Sequence, residues 1–307
     1  MSRFLNYISV LFNGIVLFQL ITLNGEGALA QQSQLPRECG KLNEKLFYNG
    51  RSITALNEYP WLGLLGFKEP NYPISYNCVA VLISQRYVVV PAHCITDKNA
   101  DALSVIFGDW RVDNNIHLRD CDRTQCAPPP KVYYLEEVVP HFQFVESHLD
   151  NDIGLAKVKE NVQFSDYIQP ICLPPANERD DQYIGQRLEI AGYPFKYRPD
   201  FDVNSFRMKT LTHMTSFEYC QAGLTEQERT ELNMSTKQMC GFVLGGKALI
   251  SGSAVMGVNL IDGKPNSFYL MGILTFGEIQ NGLVDLDSPT WFQRVSPYRD
   301  LILQNMT

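Results

Sequence analysis

The strongest hydrophobic signal in the chain is a pair of apolar runs, residues 79–83 and 87–90, on either side of polar Ser84-Gln85-Arg86. Their length and their valine and isoleucine content predict two strands joined by a tight turn. Cys78 precedes the first run and Pro91-Ala92-His93-Cys94 follows the second, so a cysteine closes the unit at each end. Another apolar run, 8–23, comes after Arg3 and before Ala28-Leu29-Ala30. A basic residue, an apolar core and then small residues predict a secretory signal over 1–30. Polar Asn13 and Gln19, and glycine at 25 and 27, argue against a membrane span there. No second stretch approaches the roughly 20 apolar residues of a spanning helix, so the mature protein is expected to be soluble. Near the C-terminus, Tyr298, Leu301 and Ile302 recur at i, i+3 and i+4, which predicts a packed terminal helix. Pro128-Pro129-Pro130 predicts an extended segment that stops ladder pairing.

Composition narrows the class. The 307 residues carry a net charge of −7, which disfavours nucleic acid or an anionic membrane as partner. Without its leader the chain is long enough for one large all-β domain with a sizeable core. The eight cysteines are Cys39, Cys78, Cys94, Cys121, Cys126, Cys172, Cys220 and Cys240. An even count in a secreted chain predicts disulfides, although spacing alone leaves roughly 105 connectivities open. There is no C-x-x-C pair and the histidines are scattered, so zinc has little support. The acidic residues around 109–122 could hold calcium, but a solvated loop is the expected reading. Asn233-Met234-Ser235 lies in a polar stretch and forms a glycosylation sequon.

The candidate chemistry begins at His93. A histidine fixed beside a disulfide just after a strand has the rigidity a general base needs, since proton transfer requires heavy atoms within about 3 Å. In an arbitrary sequence, a buried structural histidine would be the commoner explanation. Here the whole stretch 78–94 resembles, without a gap, the segment around the catalytic histidine of the chymotrypsin–trypsin family of secreted serine proteases, departing at Val90-Pro91. Asp150-Asn151-Asp152-Ile153-Gly154-Leu155 resembles the family's D-N-D-I-A-L motif, and Pro60-Trp61 and Ile168-Gln169-Pro170-Ile171-Cys172-Leu173-Pro174 match further landmarks. The similarity runs over about 46–303 and is strongest to arthropod clip-type serine protease homologues, without a clip domain. It implies two six-stranded antiparallel β-barrels with a cleft between them and a C-terminal helix, a domain over 46–307 and a short segment 31–45 tethered through Cys39.

The resemblance implies His93, Asp152 and Ser251 as the catalytic positions. Leu249-Ile250-Ser251-Gly252-Ser253-Ala254-Val255-Met256 aligns with the family's G-D-S-G-G-P-L-M; a shifted register would put Ser253 or Ala254 at the nucleophile. The N–H groups of Leu249 and Ser251 would then face an oxyanion, and Thr275, Phe276, Gly277 and Thr290 would bind substrate. It also implies the disulfides Cys39–Cys172, Cys78–Cys94, Cys121–Cys126 and Cys220–Cys240, with no metal and no cofactor. His141 falls in a V-P-H turn that the family shares, and reads as structural.

Several positions depart from the pattern. Leu249 and Ile250 replace the glycine and aspartate of the oxyanion loop. Lys45 stands one position before the expected cleavage residue, Leu46, so Phe47 would be the new N-terminus. The pocket disulfide is missing from both of its regions, where Lys247 and Asn281 stand, and Thr290 replaces a pocket-wall glycine. The expectation is a secreted, weakly active or inactive homologue that binds or regulates proteases, zymogens or other extracellular proteins in an immune or clotting cascade. The alternative is an active endopeptidase working through His93, Asp152 and Ser251.

Overall fold

The computed structural model describes residues 35–46, 49–68, 74–96, 101–112, 118–148, 150–179, 181–195, 205–246 and 248–306. The expected leader 1–30 and Phe47 therefore lie outside the described residues. The apolar runs at 79–82 and 87–90 become parts of two strands in which every one of these side chains is buried. Strands β1 (Leu62–Lys68), β2 (Ser75–Leu82), β3 (Tyr87–Val90) and β4 (Asp101–Phe107) are followed by the short β5 (Arg111–Val112). Then come β6 (Lys131–Pro140), β7 (Gly154–Val158), β8 (Arg187–Gly192) and the short β9 (Ser205–Phe206). The second half holds β10 (Met208–Thr215), β11 (Gln238–Val243), β12 (Ala254–Ile261) and β13 (Lys264–Phe276). A small hairpin, β14 (Ile279–Gln280) and β15 (Leu283–Val284), precedes β16 (Thr290–Arg294).

Two closed antiparallel barrels result, one in the order β1-β2-β3-β7-β6-β4 and one in the order β10-β11-β16-β13-β12-β8. The turn between β2 and β3 is fixed by Ser84, whose Oγ accepts from the N–H groups of Arg86 and Tyr87. The predicted C-terminal helix is Arg299–Asn305, entered through a 3₁₀ turn at Ser296–Tyr298, and it buries Ile302. Pro128 to Pro130 run outside any strand, directly before β6.

The barrels are not independent bodies. Ile250, Ala254, Leu270 and Ile273 from the second barrel pack in the same apolar cluster as Val79, Val81 and Val89 from the first. The disulfides are Cys39–Cys172, Cys78–Cys94, Cys121–Cys126 and Cys220–Cys240, the pairs that the resemblance implies. Cys78–Cys94 ties β2 to the turn of helix His93–Thr96, which directly follows β3. Cys39–Cys172 anchors the N-terminal segment, which Gly40 also joins to the body by donating to Pro170 O and accepting from Phe268 N–H.

Candidate active site

His93 and Asp152 are held together by two contacts. His93 Nδ1 lies 2.7 Å from Asp152 Oδ2, and the backbone N–H of His93 donates to Oδ1 at 2.9 Å. The Asp152 carboxylate is fully buried while the imidazole is one-third exposed, 32%. A buried carboxylate that takes two donors from one residue fixes the ring's orientation. Nε2 lies 3.4 Å from Cys94 Sγ. Among the described residues, no hydrogen bond links His93 to Ser251.

Asp152 is itself held by residues that the sequence reading missed. Its N–H donates to Oε1 of Gln293, a fully buried glutamine in β16, at 3.1 Å. The amide nitrogen of Gln293 donates to Lys237 O and Tyr298 Oη. Asn151, in the left-handed region at φ 58°, accepts at Oδ1 from both Lys237 Nζ and Tyr298 Oη. Ser235 Oγ donates to Asp150 at 2.6 Å. The Asp-Asn-Asp loop of the first barrel is thus sewn to the segment just before β11, to β16 and to the C-terminal turn. The one signal in the sequence is a polar glutamine inside the apolar run Trp291-Phe292-Gln293. His141 packs edge-on to Tyr298, as a structural residue would. Burial, and secondarily Lys237, holds its pKa below the ordinary histidine value.

Ser251 is placed by backbone bonds on three sides. Its carbonyl accepts from Val79 N–H at 2.8 Å, Ile250 N–H donates to Tyr193 O at 2.9 Å and Gly252 N–H donates to Leu274 O at 2.8 Å. Gly252 sits at φ +84°, and a Cβ there would overlap the Val79 carbonyl oxygen, so this turn demands glycine. Ser253 is fully buried and its hydroxyl donates to Ile250 O, while Ala254 lies inside β12. Among the described residues, the N–H groups of Leu249 and Ser251 donate to no acceptor. The Leu249 side chain is packed with Ile190, Val255 and Leu274, and Ile250 is buried in the core shared by the barrels.

Ser251, Leu249, Thr275, Phe276, Gly277 and Thr290 line one cavity of about 170 Å³. The Thr275 hydroxyl donates to Trp291 O, and Thr290 is buried. Beside this cavity stands a device the sequence reading missed. Asn281 and Gly282, both at positive φ (54° and 79°), form the two-residue turn between β14 and β15. Gly282 O accepts from Ala248 N–H at 3.0 Å, which fastens the hairpin to the loop that carries Ser251. The Asn-Gly pair between Ile279-Gln280 and Leu283-Val284 is the signal that could have revealed it. Lys247, on the other side of the missing disulfide, lies outside the described residues.

At the N-terminal segment, Lys209 Nζ donates to Leu46 O at 2.9 Å and pairs with Glu58 at 2.6 Å and with Glu189 at 3.5 Å, all three charged groups being buried. Tyr59 Oη donates to Glu189 at 2.5 Å, and burial, reinforced by the two carboxylates, raises its pKa well above the usual tyrosine value. The phenol is therefore a donor at any ordinary pH.

Known proteins place this arrangement. The family description Trypsin matches residues 48–302. The chain is 29% identical over 289 residues to the CLIP domain-containing serine protease HP8 of Bombyx mori, spanning 89% of this chain and 73% of that one. It is 30% identical over 270 residues to melanization protease 1 of Drosophila melanogaster, spanning 84% of this chain and 65% of that protein. The solved structure of the Drosophila Grass clip serine protease of the Toll pathway superposes with a TM-score of 0.71 over 88% of this chain and 74% of its own, at 22% identity, which speaks for the fold alone. From its first barrel to its terminal helix, then, this chain belongs to the trypsin family and is related to the clip serine proteases of insects.

Proposed function

We propose that the protein is a secreted serine protease homologue with weak or no hydrolytic activity, which binds or regulates proteases, zymogens or other extracellular proteins of an immune or clotting cascade. The observation that carries this reading is Ile250. In the family, an aspartate at this position accepts the ammonium that activation cleavage creates. Here the position is an aliphatic side chain packed in the inter-barrel core, and it can neither accept a hydrogen bond nor carry charge. An ammonium delivered there would stay buried and unpaired, at a cost of roughly 3–5 kcal/mol. The absence of a basic residue at position 46 agrees with it. Relatives named as a melanization protease and a Spaetzle-processing enzyme support a cascade setting, and four disulfides support an oxidising compartment. In this reading residues 1–30 are removed as a leader, 31–45 stay tethered through Cys39 to the domain 46–307, and Asn233, exposed at the end of helix Glu226–Leu232, carries a glycan.

A fluorophosphonate probe on the purified mature protein tests the reading. Labelling is expected to stay at the level of a Ser251→Ala control under conditions that label an active family member fully. Rapid labelling that disappears in Ser251→Ala would overturn it.

The second reading, an active endopeptidase, is favoured by the His93–Asp152 geometry and by the N–H groups of Leu249 and Ser251, which have no acceptor among the described residues. In it, Ser251 Oγ attacks the peptide carbonyl carbon while His93 Nε2 takes the hydroxyl proton. The oxygen that gains the electron pair is held by the two N–H groups, and His93 returns the proton to the leaving nitrogen as the C–N bond breaks. Loss of a single such donor costs another serine protease about 10²–10³ in rate, so the backbone at Leu249 decides how much activity this route retains.

A further inference from the structure

The cavity beside Ser251 has a definite chemical character. Its inner walls are Ile190, Val243, Ala248 and Leu274, together with the side chain of Thr290. Among the described residues, the buried charged ones are Glu58, Asp109, Asp120, Asp152, Glu189, Arg207, Lys209 and Arg294, with the Glu178 carboxylate buried as well, and none of these lines it. Glu278, the charged residue among the described lining, is exposed and so sits at the mouth. A guanidinium or ammonium in the interior would find no counter-ion there among the described residues, and an unpaired charge in an apolar site is strongly disfavoured.

Thr290 also sets the depth. It lies against Gly277: a Cβ added at Gly277 would stand 3.3 Å from both Cγ2 and Oγ1 of Thr290. The threonine side chain therefore narrows the cavity opposite Gly277. Next to this opening runs an unused sheet edge. The pairing of β12 with β13 ends at Ala254 and Ile273, and Leu274 is taken up by Gly252 and Ser253. Among the described residues, no strand runs beside 275–277 on that side. An open edge next to a single side-chain pocket is the arrangement by which a sheet captures an extended peptide, with backbone bonds for affinity and the pocket for selection.

We infer that this cleft selects an extended peptide presenting a short, uncharged aliphatic side chain such as valine or leucine, and that Thr290 is the residue that sets the limit. The inference rests on the cleft being a protein-binding site, as proposed above. It holds whether or not Ser251 reacts, because the selection is made by the pocket and the strand edge.

The test uses fluorescein-labelled acetyl-Ala-Ala-Ala-X-Ala-Ala peptides, with X as Val, Leu, Phe or Arg, and anisotropy titrations on the full mature chain carrying Ser251→Ala so that no peptide is consumed. The Val and Leu peptides are expected to bind at least tenfold more tightly than the Arg peptide, with Phe between. Thr290→Gly is expected to bring Phe level with or ahead of Leu. Thr290→Ser, a milder change that keeps the hydroxyl, moves Phe in the same direction to a smaller extent and serves if the glycine variant does not fold. Arg binding as tightly as Val or Leu would overturn the inference and leave the cleft as a peptide site of another selectivity. No binding by any of the four peptides would remove both the inference and the cleft reading beneath it. Unchanged Phe affinity in both folded Thr290 variants would strip Thr290 of its role.

Discussion

Asp152 shows how much of this site depends on single side chains far away in the sequence. Its carboxylate serves His93, and its own N–H is satisfied by Gln293 alone among the described residues. Gln293→Leu keeps much of the volume but leaves that buried N–H without an acceptor, which costs about 1–3 kcal/mol. Urea unfolding should show the loss as a lower midpoint. A midpoint within error of the parent chain would mean that another acceptor takes over. This residue was not legible from the sequence as a functional partner, because it stands 141 positions from Asp152 and only the closure of the second barrel brings it there. The candidate positions His93, Asp152 and Ser251 could be picked out for the opposite reason. Each lies inside a local motif whose glycines, cysteines and apolar neighbours have their own structural duties, as Gly252 does under the Val79 carbonyl.

Among the elements, the hairpin β14–β15 braces the Ser251 loop through its turn. It ties the Ser251 loop to the pocket wall through backbone bonds from Ala248 to Gly282 and from Val284 to Gly246. Such a tie depends on turn geometry rather than on a covalent link. Gly282→Ala forces a Cβ into the left-handed region at φ 79°, at a cost of roughly 1–2 kcal/mol. The expected outcome is faster hydrogen exchange at the Ala248 amide, read by NMR or mass spectrometry, with exchange in β1–β3 unchanged. Equal exchange at Ala248 would show that the loop does not need the hairpin. The strand pair around Ser84-Gln85-Arg86 was readable from its two apolar runs, whereas the two barrels followed only from the family resemblance. The hairpin carries an Asn-Gly turn signal, but its flanking strands are two residues each, too short to show a strand pattern. The Lys209–Glu58–Glu189 cluster had no comparable signal, since it joins three strand or loop positions that are unrelated in sequence.

For the molecule as a whole, the polar seam between the barrels carries a histidine whose protonation opposes folding. His141 sits on that seam with its pKa held below the ordinary 6.5, first by burial and then by Lys237. The unfolded chain therefore binds a proton at this site that the folded chain resists. Stability is fully present above about 6.5 and falls as the pH drops below it, towards the folded-state value. Denaturation midpoints at pH 7.5 and 5.5 should differ less in His141→Gln than in the parent chain; an unchanged difference would assign the pH effect to other groups.

The bond between Cys39 and Cys172 spans 133 positions, and so encloses the whole stretch in which an activating protease would have to act. A nick anywhere in that stretch would release nothing. The two pieces would travel together on a gel until a thiol was added, and only then would the smaller one separate. Any claim about processing of this protein in a body fluid must therefore compare reduced with unreduced samples, since an intact band without reductant says nothing about whether the backbone is continuous.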